Sequence, residues 1–118
     1  MLVDFETCCK LLKNGSVVAI HTETVYGLAA NALCPTAVKK IYQTKGRPAQ
    51  NPLIVHILNC AKAKSLAVTN EYFFSLAEEF WPGPLTFILE SKDIVPKITT
   101  GGLNTIALRS PESDVFRN

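Results

Sequence analysis

Apolar residues recur along the chain with two different spacings, and the switches between them mark its elements. Phe5, Cys8, Cys9 and Leu12 fall at i, i+3, i+4 and i+7, the stripe of an amphipathic helix. Asp4 offers a cap at its start and Gly15 a stop at its end. "SVVAI" (16–20) has no polar interruption and is expected as a strand buried on both faces. Pro35 and Thr36 open a second helix, on which Val38, Ile41 and Tyr42 share one side. "KGRPAQNP" (45–52) is rich in breakers and reads as a loop, followed by the strand "LIVHIL" (53–58). A short helical pattern covers 59–67. A clearer one, "NEYFFSLAEEFW" (70–81), has Asn70 as cap and Pro82 as stop. "LTFILE" (85–90) and "NTIALRS" (104–110) are further strands. Helices interleaved with strands predict an α/β domain with a mixed sheet.

The chain of 118 residues has the size of one domain, spanning 1–118. In "SPESDVFRN", Pro111, Glu112 and Asp114 suit the first turn of a helix, yet the sequence ends about one turn later. An isolated turn does not recover its nucleation cost, so the expectation is a fold interrupted near its C-terminus.

Composition narrows the classes. With 47% hydrophobic and 19% charged residues the chain reads as globular. A net charge of +2 does not by itself demand a polyanionic partner, so any such partner must be argued from local Lys and Arg placement. The four cysteines, Cys8, Cys9, Cys34 and Cys60, lack the spacing of a zinc or redox site and read as reduced thiols of a cytosolic protein. No apolar run approaches the roughly 20 residues of a membrane span, and the N-terminus lacks a signal peptide's basic start. A cytoplasmic protein without a membrane partner is expected.

Polar residues concentrate near strand ends, where α/β sheets bind ligands. Thr22-Glu23-Thr24-Val25-Tyr26-Gly27 reads either as a turn whose threonines bond the local backbone or as part of a ligand site. Lys45-Gly46-Arg47-Pro48 is either a solvated basic turn or a phosphate clamp, with Arg47 as planar fork and Lys45 as point charge. It is not a P-loop, because G-x-x-x-x-G-K-[ST] is absent. His56 alternates onto the face of Ile54 and Leu58, where a histidine is commonly a satisfied core residue. Arg109 closes the strand "TIAL" and needs an anionic partner if buried, either Glu23 or a ligand carboxylate. "WPGPLT" (81–86) reads as a rigid packed corner rather than a site.

Taken in order, "TETVYGLAANA", "KGRP", "NPLIVHI", "WPGPLTFIL" and "GGLNTIALRSP" resemble the YrdC-like family, whose enzymes include threonylcarbamoyl-AMP synthases. The resemblance covers nearly the whole chain. It implies a twisted mixed α/β sheet with flanking helices around a basic cavity, incomplete here at the C-terminus. The implied reaction takes L-threonine, bicarbonate and ATP with Mg²⁺ to threonylcarbamoyl-adenylate and pyrophosphate. A separate transferase then modifies the tRNA adenosine beside the anticodon. By the same resemblance Thr22, His56 and Arg109 belong to the threonine pocket, with Tyr26 and Gly27 shaping its wall. Lys45 and Arg47 match a K-x-R motif on the nucleotide phosphates and carry the catalytic charge neutralisation. Asn51 and Thr105 lie by the nucleotide. No covalent nucleophile and no side-chain metal ligand are implied, so Cys34 and Cys60 should be replaceable.

Two departures stand out. His21 occupies the place of the family's usual proline, and the Ser-Ala-Asn segment that completes the nucleotide site is absent. Rival readings are an RNA-binding module, a carbamoyl-transfer module of the hydrogenase-maturation kind, and an inactive remnant of the synthase. Against RNA binding, Phe73, Phe74, Phe80 and Trp81 fall in helix-packing patterns and not beside Lys45 and Arg47.

Overall fold

The structure is a computed structural model, and it describes residues 5–21, 26–46, 48 and 52–111. Helix α1 (Phe5–Lys13) leads through Gly15, whose N–H donates to the Leu12 carbonyl at 3.1 Å, into strand β1 (Val18–His21). Strand β1 pairs antiparallel with β2 (Tyr26–Ala29), from Val18↔Ala29 to His21↔Tyr26. Tyr26 and Gly27, read from sequence as loop, therefore lie in a strand. The expectation of a strand buried on both faces fails as well: Val18 is buried and Ala19 exposed. Strand β1 belongs to a two-stranded sheet, which leaves the Ala19 face open to solvent.

Helix α2 (Pro35–Lys45) has Pro35 in its first turn and buries Ala37, Val38, Ile41 and Tyr42, as the spacing requires. It runs one residue further than a loop starting at Lys45 allows. Gly46 stops it in the left-handed conformation at φ 63°, ψ 24°, donating its N–H to the Tyr42 and Gln43 carbonyls.

The second sheet is mixed. Strand β5 (Thr105–Arg109) is central, with β3 (Ile54–His56) parallel on one side and β4 (Phe87–Glu90) antiparallel on the other. Helices α3 (Cys60–Leu66) and α4 (Glu71–Phe80) start as the sequence predicts. The Asn59 side chain accepts from the Lys62 N–H at 3.2 Å, and the Asn70 side chain from the Phe73 N–H at 2.9 Å. Both helices contribute to one core, in which Ala63, Leu66, Phe73 and Ala77 cluster with Val55, Ile57, Ile106 and Leu108. Alternation sends Ile54, His56, Ile88, Glu90, Thr105, Ala107 and Arg109 to the opposite face of the sheet. That face is the wetter one: Ile88 is 71% exposed, whereas Leu108 is 0% exposed.

The WPGPLT corner is packed, as expected. Trp81 meets Phe73 and Phe87 edge-on at 5.5 Å and 5.0 Å between centroids, and its indole N–H donates to the Leu85 carbonyl at 2.8 Å. Phe80 departs from the packing pattern and stays 49% exposed at the end of α4. Thr99, fully buried, ties the long connection before β5 to the first half of the chain by donating to the Ala32 carbonyl at 2.7 Å. Among the described residues no helix is long and apolar enough to cross a membrane.

Candidate functional site

Parallel pairing brings His56 and Arg109 together. In the β3–β5 register Ile54 faces Ala107 and His56 faces Arg109. Neighbouring strands lie about 4.8 Å apart and register partners share a face, so an imidazole and a guanidinium emerge side by side at the same sheet edge. His56 is exposed, which overturns its reading as a core histidine. Burial at this strand falls on Val55 and Ile57, leaving His56 on the wet face.

Arg109 is half-buried. The partner expected from sequence was a carboxylate, Glu23 or a ligand's. Glu23 lies outside the described residues. Among those described, the partner is a hydroxyl: Arg109 Nε donates to Thr86 Oγ1 at 2.9 Å. Thr86 offers a neutral oxygen, and among the described residues no carboxylate pairs with the Arg109 guanidinium, whose two terminal nitrogens are the donors that this bond does not use. Thr86 escaped the sequence reading because it ends a motif recognised as a corner, and nothing local in "PLT" announces a partner on a strand many residues later.

The surroundings of this pair are fixed from below. The Ile57 N–H donates to the Arg109 carbonyl at 2.9 Å, prolonging the β3–β5 ladder past His56. Ser110 Oγ donates to the Leu58 carbonyl at 2.9 Å, and the Gly83 N–H donates to the Ser110 carbonyl at 2.8 Å. The ends of β3 and β5 and the WPGP corner are thus one hydrogen-bonded unit.

Lys45 sits in the last turn of α2 and is exposed there. It stands three, four and seven residues after Tyr42, Ile41 and Val38, all buried. Helical spacing puts it on the angular side of these residues rather than that of Lys39 and Lys40, although all three lysines are exposed. Thr105 is exposed at the other end of β5, opposite Glu90. At about 3.3 Å per residue it lies roughly 13 Å along the strand from Arg109. The structure does not bring Thr105 into the His56–Arg109 pair. Thr22, Arg47 and Asn51 lie outside the described residues. Among the described residues no group of three or more His, Cys, Asp or Glu side chains is arranged to hold a metal.

A guanidinium at a strand end with a histidine beside it suits an anionic group such as a carboxylate.

Comparison with known proteins agrees with the architecture. The chain is 50% identical over 105 residues to the threonylcarbamoyl-AMP synthase of Pyrococcus abyssi, covering 88% of this chain and 31% of that protein. It is 50% identical over 104 residues to the synthase of Bacillus subtilis, covering 86% and 30%. The crystal structure of Pyrococcus abyssi Sua5 complexed with L-threonine superposes with a TM-score of 0.92 at 43% identity, over 99% of this chain and 36% of that one. The chain thus spans about a third of the length of these relatives. Residues 10–118 match the family that groups Sua5, YciO and YrdC and is described as "Telomere recombination". With a match across most of its length, on a mixed α/β fold of the same kind, the chain belongs to the Sua5–YciO–YrdC family.

Proposed function

We propose that this chain supplies the threonine-binding and nucleotide-activating part of a threonylcarbamoyl-AMP synthase. The observation that carries the reading is the 50% identity over 105 residues to a relative of that name. The adjacent His56 and Arg109 support it, because they place a guanidinium able to take a carboxylate beside a histidine at the ends of β3 and β5.

The chemistry has two steps. The threonine amine attacks the carbon of bicarbonate, and loss of water leaves a carbamate. A carbamate oxygen then attacks the α-phosphorus of ATP, and pyrophosphate departs in line. Both steps need positioning and charge neutralisation more than a covalent side chain. Arg109 holds the threonine carboxylate through its terminal nitrogens, with His56 and Thr22 alongside. Lys45 and Arg47 neutralise the triphosphate, while Asn51 and Thr105 serve the nucleotide. The roughly 13 Å between Arg109 and Thr105 suits opposite ends of one extended substrate and not a shared contact. Mg²⁺ enters with ATP as part of that substrate. The product is a mixed anhydride, an activated donor for a separate enzyme acting on tRNA.

The test is pyrophosphate release from ATP, measured with threonine and bicarbonate each omitted in turn. Release is expected to require both and to vanish in Lys45→Ala and Arg47→Ala. Calorimetric titration with L-threonine separates binding from turnover in a chain of this length. Release indifferent to threonine, with no threonine binding, overturns the proposal. Activity with carbamoyl phosphate in place of threonine assigns the chain to carbamoyl transfer instead, and salt-sensitive RNA binding indifferent to threonine assigns it to RNA.

A further inference from the structure

We infer that Thr86 is a positioning residue for substrate carboxylate recognition, acting through Arg109, and that the WPGPLT corner exists to deliver it. The inference rests on the threonine-binding reading above and adds to it a residue and a division of labour within one guanidinium.

Thr86 Oγ1 accepts the Arg109 Nε–H at 2.9 Å, and both residues are half-buried. A guanidinium can grip a carboxylate in two ways: side-on, through Nε and one terminal nitrogen, or end-on, through both terminal nitrogens. Thr86 occupies Nε and thereby selects the end-on grip. It also stops rotation about the arginine's last bonds, so the fork is preset before a ligand arrives.

Thr86 is itself placed with little freedom. Its β-branched side chain has restricted χ1. On one side, the carbonyl of Leu85 is held by the Trp81 indole N–H at 2.8 Å. On the other, Phe87 stacks edge-on against Phe73 at 4.8 Å and stands in register with Leu108. Leu108 directly precedes Arg109 on β5, so donor and acceptor are carried by neighbouring strands whose register is fixed by the core. A corner that merely turned the chain would need a packed tryptophan. It would not need a hydroxyl that reaches an arginine on the next strand.

The decisive comparison is L-threonine against L-threoninol, which keeps the amine and side chain but lacks the carboxylate. Calorimetric titration of Thr86→Val should show threonine affinity reduced about tenfold, the scale of a hydrogen bond involving a charged group, with threoninol affinity unchanged. Thr86→Ser, which restores the acceptor, should recover most of the loss. A merely structural role would weaken both ligands together and would not be rescued by serine. Independently of any ligand, the Arg109 Nε–H resonance should be protected from exchange in the natural chain and lose that protection in Thr86→Val. Should valine prevent folding, Thr86→Ala removes the same acceptor and is read in the same way.

Unchanged threonine affinity in a valine variant of a threonine-binding chain overturns this inference alone. Absence of threonine binding by the natural chain overturns the functional reading. In that case an unprotected Arg109 Nε–H removes the positioning role of Thr86 as well, and a protected one retains its hold on Arg109 for whatever anion the site takes.

Discussion

Replacing Gly83 with alanine tests whether backbone contact holds the corner that carries Thr86. An added Cβ would stand 2.6 Å from the Phe80 carbonyl oxygen, a backbone atom at the end of α4 that cannot rotate aside. The corner must open to admit the methyl group. Opening it pulls on the Gly83 N–H bond to the Ser110 carbonyl, 2.8 Å in the natural chain. Forced packing of this kind costs about 1–3 kcal/mol. The weakened hydrogen bond adds about 1 kcal/mol, for a total of about 2–4 kcal/mol. Gly102→Ala is the matched control. Its backbone is left-handed at φ 82°, but no atom lies within 4 Å of the new Cβ, so only the conformational cost of roughly 1–2 kcal/mol applies. The loss of unfolded-state freedom on Gly→Ala is common to both variants and cancels in the comparison. Urea unfolding followed by fluorescence of Trp81, the one tryptophan of the chain, reports both. Gly83→Ala is expected to be the less stable, by about 1.5 kcal/mol between the midpoints and by at most about 3 kcal/mol. The reverse order, with Gly83→Ala the more stable, refutes the steric argument and with it the rigidity assigned to the corner.

The other predictions are simpler. Asn70→Ala removes the acceptor of the Phe73 N–H, 2.9 Å away, and should cost about 1 kcal/mol in the same urea assay, whereas Asn70→Asp keeps the cap and should cost little. Phe73 is 2% exposed and meets three aromatic rings, so Phe73→Ala should cost about 3–5 kcal/mol, enough to shift or abolish the cooperative transition. Cys34→Ala and Cys60→Ala should leave threonine-dependent pyrophosphate release unchanged; a native-like Cys60→Ala protein without release would reveal a covalent step.

Periodicity and capping chemistry exposed the elements well, because each leaves a local mark. Asn70 accepts from the N–H three residues on, and Val38, Ile41 and Tyr42 are buried on the face their spacing gives. What escaped was set by pairing. "SVVAI" looks fully buried because a strand's letters do not say how many neighbours it has; as one strand of a two-stranded sheet it exposes Ala19. Tyr26 and Gly27 form a strand only because β1 lies alongside them. Phe80 fits a helix-packing pattern, but the core under α4 is already filled by Phe73 and Ala77. At the site, the residue types at His56 and Arg109 were legible, but their company was not. Thr86 is distant in sequence from Arg109, and only the β4–β5 register brings the two within 2.9 Å.

Topology accounts for why the chemistry gathers where it does. Because β3 runs parallel to β5, the C-terminal ends of both strands lie at one edge, and His56 pairs with Arg109. Antiparallel pairing would have set His56 near the Thr105 end, roughly 13 Å from the guanidinium. A slip of one residue would turn His56 toward the face of Val55 and Leu108, where an imidazole displaces core packing. The register is therefore held by the apolar face, and the polar face inherits its geometry. Strand β4, antiparallel on the other flank, enters the sheet at that same edge, and Thr86 is the residue just before its first. Strand ends from three separate stretches of sequence thus meet at a single point, with Arg109 at its centre: His56 on one side, Thr86 on the other. A core mutation that shifted β4 by one residue against β5 would move Thr86 out of reach of Arg109 without altering either side chain.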